Sequence, residues 1–386
     1  MSRPGVYDVP HDRHPWAGYL LNVTIGNPPQ TIPMFNDWTW VQMYTLTTKC
    51  MGDEENTWAC LNHDQPYYNQ TESKTFRNVT DRYPRMNWNP NHFFFYEDMW
   101  VEHATEVTTV GSATSTVVFE ASDFSFDSTA MAFPFAGVYG MSPVFEGDKP
   151  DYQSTFYQQW KSGAWATGLT AFHYCYDGSP DVEKEGCHGY DAIQTMGGYR
   201  RDLIQDKKIY WYDITIWDWV NYQNFIWEPK VINYWTLDIS QMSIGDEPVA
   251  INKTTGGAAI FDHASFGRGA PLSIDGYAYL VDLAQAEPIT LQWPPNNGNQ
   301  SFFSVDCNKR DTLPPIKYAF SGHDKVWEIP AKYYVENIDE ATCVLNVRTL
   351  GYGEMSDGNF GDQFVMDKYL IFDFEKLRVG LADVKW

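Results

Sequence analysis

The chain has 386 residues, too many for one compact core and suited to two lobes. Aromatic residues make up 17% and hydrophobic residues 43%, which supplies material for large buried cores and excludes a disordered protein. A net charge of −23 repels polyanions and so argues against nucleic acid and anionic membranes as partners, and no apolar run approaches the roughly 20 residues needed to span a bilayer.

The N-terminus, MSRPGVYDVPHDRHP, lacks the apolar stretch of a signal peptide, so Met1 is expected to follow a removed targeting segment. Residues 1–16 read as an extended polar tail in which His11 and His14 have no role. YLLNVTI (19–25) is the first strand, rich in β-branched and aromatic residues and bounded by Gly and Asn. PMFNDWTWVQMY (33–44) then places Asp37 beside Trp38, Trp40 and Tyr44. A carboxylate so flanked is either turned out to water or held in a low-dielectric site. TSTVVFEA (114–121), IYWYDITIW (209–217) and YWTLDISQMSI (234–244) continue the β pattern, and YQSTFYQQWKSG (152–163) is the one helix expected, ending at Gly163. The fold class is therefore mainly β.

Six cysteines, Cys50, Cys60, Cys175, Cys187, Cys307 and Cys343, are scattered with no CxxC pair, which disfavours zinc ribbons and thioredoxin chemistry. Five Asn-x-Ser/Thr sequons, at Asn22, Asn69, Asn78, Asn252 and Asn299, point to a secreted glycoprotein and hence to three disulfides. The stretch from Cys175 to Cys187 reads as a decorated hairpin closed by one of them. No HExxH helix, Gly-x-Ser-x-Gly elbow or phosphate loop occurs, so no metal or other cofactor is called for.

A weak internal duplication links the two halves. Ile32-Pro-Met-Phe-Asn-Asp37 has a counterpart in Ala258-Ala-Ile-Phe-Asp262, and each aspartate is followed in its own half by an aromatic-Gly segment, FAGVYGM (135–141) or NFGDQF (359–364). One acid in each of two similar halves implies a cleft between lobes.

On these residues the chain resembles the pepsin-like aspartic peptidases over nearly its whole length. YLLNVTIGNPPQ (19–30) is similar to the family's opening strand and turn, with Asp37 where the first catalytic aspartate lies; FDHASFGRGAP (261–271) is similar to the second catalytic motif. The resemblance implies a bilobal β-barrel fold, taken here as lobes 1–198 and 199–386, with disulfides Cys50–Cys60 and Cys307–Cys343 beside Cys175–Cys187. It implies catalysis by Asp37 and Asp262 on a shared water, a peptide or protein substrate in the inter-lobe cleft, and a monomer. Two carboxylates sharing a site cannot both ionise cheaply, so one stays protonated while the other acts as base.

The sequence departs from that family where the chemistry sits. Trp38 and His263 replace the hydroxyl residues that brace the two loops, and Thr39 and Ala264 replace glycines. Trp40 cannot offer the carboxylate a hydroxyl, whereas Ser265 can. The flap region FFFYEDMWVEH (93–103) has no glycine; Tyr96 is the expected flap residue and Trp100 the second candidate, with Tyr44 behind. Adjacent residues of an extended stretch point to opposite faces, so His263 is expected to pack away from the cleft. The leading expectation is a secreted endopeptidase cutting between bulky apolar residues at acid pH. The competing one is an inactive binding protein or inhibitor of the same fold, using tryptophans as contact anchors.

Overall fold

The strand Gly18–Ile25 shows why the chain is mainly β: Tyr19, Leu21, Val23 and Ile25 alternate inward while Leu20, Asn22 and Thr24 are partly or fully exposed. The computed structural model describes residues 5–14, 18–51, 66–81, 83–85, 99–125, 136–146, 153–175, 186–215, 234–251, 258–263, 270–292, 300–347 and 359–385. Among these, one fourteen-strand sheet runs through both halves of the chain, and six- and four-strand sheets belong to the second half.

A hairpin pairs Gly18–Ile25 with Gln30–Asp37, which is wholly buried over its last four residues. It is buried there because Gly137–Gly140 lies parallel to it, setting Met34 opposite Gly137 and Asp37 opposite Gly140, while Met43–Leu46 closes the far side antiparallel. The second half repeats the plan. Ala258–Phe261 lies parallel to Asn359–Phe360, with Phe261 opposite Phe360, and leads straight into Asp262. The duplicated segments are thus the same device built twice, each delivering an aspartate from the end of a buried strand.

Beneath both devices lies a platform drawn from the two halves. Leu169–Tyr174 pairs with Ala192–Met196 on one side and Lys368–Asp373 on the other, and the latter pairs with Arg378–Asp383. Tyr7–His14, read from sequence as a tail, is extended but paired: it lies between Ala192–Met196 and Gly18–Ile25. Its charged residues mask an alternation in which Val9 and His11 point inward. The expected helix forms at Thr155–Lys161 and stops before Gly163, at φ +85°, a left-handed conformation suited to glycine. A second helix, Ile274–Ala284, was not expected; Ser273 caps it by accepting from the Gly276 N–H (3.2 Å), and Gly276, Leu280 and Ala284 face inward four residues apart. The disulfides Cys175–Cys187 and Cys307–Cys343 form as expected; the Cys50–Cys60 expectation reaches outside the described residues.

Gly140 marks where backbone alone fits. A Cβ there would stand 2.5 Å from the carbonyl oxygens of both Gln42 and Val41 and 2.7 Å from that of Trp40, all on the loop that follows Asp37. Gly140→Ala should therefore push that loop away and lower stability by about 1–3 kcal/mol, the usual range for overpacking; an unchanged denaturation midpoint would contradict the close approach.

Candidate active site

Asp37 is 1% exposed, so its carboxylate must be bonded within the protein. Its Oδ1 accepts from the Thr39 N–H (2.8 Å), the Thr39 hydroxyl (2.8 Å) and the Trp40 N–H (3.1 Å). The hydroxyl lost at position 40 is thus supplied at position 39, and Trp40 contributes its backbone instead of its side chain. Thr39 is absent from the residues with positive φ, so this loop turns without the freedom of glycine. The Asp37 carbonyl accepts from the Met141 N–H (2.9 Å), fastening the loop to the parallel neighbour strand.

Asp262, also 1% exposed, is held by the mirror-image bond, its N–H donating to the Phe360 carbonyl (3.0 Å). His263 follows it with its side chain fully buried. Its Nδ1 lies 2.9 Å from the carbonyl oxygen of Asn36, and its Nε2 lies 3.1 Å from an Asp362 oxygen and 3.2 Å from the Tyr174 hydroxyl. The residue after one aspartate therefore bonds the residue before the other.

The imidazole of His263 lies between two aromatic rings of the first half, stacked on Trp38 (centroids 4.3 Å, 6°) and on Tyr19 (5.3 Å, 11°). Trp38 is fully buried against the platform, 5.3 Å from both Phe172 and Phe372. Its indole belongs to the floor beneath the aspartates. Trp40 is also fully buried, 6.2 Å from Tyr44, which is 2% exposed. These side chains were expected in the cleft or flap; they are core.

Asn36 is fixed by a second set of bonds. Its Nδ2 donates to Gln194 Oε1 (2.6 Å) and lies 3.1 Å from His11 Nε2, and Gln194 donates on to Thr170 Oγ1 (2.8 Å). His11 Nδ1 faces the Val9 carbonyl (3.2 Å), so Nδ1 carries the proton and Nε2 accepts from Asn36. Burial holds His11 down to about 3, the charge of His263 adds to this, and the bond to Val9 opposes it. His11 was assigned no role because a paired strand with polar composition looks like a tail.

Tyr234 reports on both acids. Burial lifts its phenol well above the ordinary range, and the carboxylates of Asp262 and Asp37 each lift it further. Both charges thus reach one buried side chain. Its neighbour Trp235 donates from Nε1 to the Met141 carbonyl (2.8 Å), a further bond between the halves.

Other expected residues are placed as follows. Tyr96 and Ser265 lie outside the described residues, as do Cys60, Asn252 and Asn299. Trp100 stands in the strand Met99–Val110, opposite Pro84 on one side and Phe124 on the other. Asn22 and Asn78 are exposed, and Asn69 is half-buried, its Oδ1 accepting from the Thr71 hydroxyl (2.7 Å). Among the described residues, His173, Cys175 and Cys187 cluster closely enough to suggest metal ligation, but the two sulfurs are bonded to each other and offer no thiolate.

The family model for eukaryotic aspartyl proteases matches residues 18–384. An aspartic protease-like protein of Aspergillus niger, pynH, is 47% identical over 377 residues, covering 96% of this chain and 90% of its own. A probable secreted aspartic protease of Arthroderma benhamiae is 41% identical over 373 residues, covering 94% and 89% respectively. The secreted aspartic protease LUC8 of a Fusarium species is 28% identical over 394 residues, covering 95% and 88%.

A carboxyl at the edge of this network sets a pH dependence. Glu336 lies 3.6 Å from Arg13 of the first half, and burial pushes it up from 4.5 to about 7, with Arg13 opposing and the Asp362 charge adding. As pH rises above 4.5 the unfolded chain releases this proton before the folded chain does, so stability falls across the window from 4.5 to about 7. Glu336→Gln should remove that slope. Its thermal midpoint, relative to the parent protein, should climb between those two pH values, and an equal gap at both would refute the assignment.

Proposed function

Since the chain belongs to the eukaryotic aspartyl protease family and shares its mainly β, pepsin-like fold, we propose that it is a secreted aspartic endopeptidase, hydrolysing peptide bonds at acid pH through Asp37, Asp262 and a water between them. The observation that carries the proposal is the contact of His263 with the Asn36 carbonyl: it brings together the chain on either side of the two acids. The shared effect of both carboxylates on Tyr234 supports the same convergence.

In this reading the two carboxyls, buried and close, share one proton over the acid range. The ionised one takes a proton from the attacking water; the protonated one polarises the scissile carbonyl and hands its proton on. Three donors on Asp37 Oδ1 hold that carboxyl in place, and Asp37 and Asp262 are assigned together as the acid–base pair. The lobes 1–198 and 199–386 would hold an extended peptide between them.

Binding without hydrolysis was motivated by tryptophans as exposed anchors. Trp38, Trp40, Trp165, Trp235 and Trp327 are instead among the largest fully buried side chains. Secretion is supported by the names of the relatives, by the two disulfides and by the exposure of Asn22 and Asn78.

The test is cleavage of a denatured protein between about pH 3 and 6, where a coupled pair retains one proton. The parent protein should cut it, and Asp37→Asn and Asp262→Asn should each lose about 10²–10⁴-fold in kcat, the usual contribution of an acid or base. No cleavage by the parent, or equal rates in the variants, would overturn the proposal.

A further inference from the structure

We propose that His263 is the positioning residue of the acid pair, resting on the reading above: with Nδ1 bonded to the Asn36 carbonyl and Nε2 set against the Tyr174 hydroxyl and Asp362, it locks the Asp37 loop onto the Asp262 loop from between Trp38 and Tyr19. It replaces in one side chain the hydroxyl bracing that the sequence lacks.

A backbone carbonyl only accepts, so Nδ1, 2.9 Å from Asn36 O, must carry a proton. Nε2 makes its hydrogen bond with the Tyr174 hydroxyl, 3.2 Å away, and lies 3.1 Å from Asp362 Oδ1. Two aromatic faces lie parallel to the ring at 4.3 and 5.3 Å and fix its plane.

Titratable groups facing the ring are few among the described residues. Tyr174, from the platform strand Leu169–Tyr174, is raised well above 10 by burial, with Asp362 and Tyr19 adding, and so stays neutral. His11, from Tyr7–His14, is neutral down to about 3. Tyr19 faces the ring from Gly18–Ile25, and Asp37 and Asp262 flank the two bonded loops. Beyond Asp362 stand Glu336 and its partner Arg13.

The consequence is geometric. Asn36 and Asp37 are consecutive, as are Asp262 and His263, so a slip at the 2.9 Å bond moves the carboxyls relative to each other. A displacement of about 1 Å at reacting groups can cost 10²-fold in rate. Trp38 opposes a slip by fitting between the ring and Phe172 and Phe372.

The experiment uses the full chain and two variants, His263→Ala and Asp362→Asn, the second an isosteric change beside Nε2. Both should keep a cooperative thermal transition. Both should lose about 10²-fold in kcat while KM stays within about twofold, the signature of misplaced catalytic groups. Nitrogen NMR of the ring gives a readout that needs no activity: in the parent Nδ1 should carry a proton hydrogen-bonded to the Asn36 carbonyl. An Nδ1 without that bonded proton in the parent, or folded variants with unchanged kcat, would each overturn the inference. If the parent cleaves nothing, the peptidase reading falls, and the ring spectra alone decide the clasp.

Discussion

A hydrogen bond between a side chain and a backbone carbonyl, His263 to Asn36, joins two loops 227 positions apart. Each loop is the end of a buried strand with a parallel neighbour, and neither could place an acid alone. The bond is enclosed by aromatic rings, where the low dielectric strengthens it and where water cannot compete for either partner. Around it the other polar groups fall into line: His11, Gln194 and Thr170 fix the side chain of Asn36, and Asp362 fixes the far end of the ring. The site is therefore an arrangement of buried polar groups that satisfy one another across the boundary between halves.

Much of this was legible. The repeated apolar strand ending in aspartate was visible as a pattern, and it corresponds to the same parallel pairing built twice. Strand alternation at Gly18–Ile25 and the cysteine pairings at Cys175–Cys187 and Cys307–Cys343 were also readable. What escaped were residues whose roles are set by tertiary neighbours. His11 looks like part of a charged tail until Ala192–Met196 and Gly18–Ile25 are found on either side of it. Thr39 looks like a lost glycine until its hydroxyl is found 2.8 Å from Asp37. The helix Ile274–Ala284 hid behind Gly276 and its aromatic residues, though Ser273 and the four-residue spacing of Gly276, Leu280 and Ala284 were available as signals.

The substitutions around the acids are coupled. Trp38 would be out of place in a small-residue loop, but opposite an imidazole it makes a parallel contact at 4.3 Å and fills the space over Phe172 and Phe372. Thr39 returns to Asp37 the hydroxyl that Trp40 cannot provide. Volume and hydrogen bonding are thus redistributed among neighbouring positions. Single-position comparison with a motif counts these as losses, whereas the three-dimensional arrangement shows them as exchanges.

The platform beneath the site has one more consequence, for synthesis. Leu169–Tyr174 waits for Lys368–Asp373, made far later in the chain, to pair with its outer side. Until that strand is made, the earlier strands present an unpaired edge of apolar side chains, a template for wrong pairing between nascent molecules. A truncation that removes Lys368–Asp373 would therefore do more than shorten the protein. It would leave that seam open, and such products are expected to aggregate before any question of activity arises.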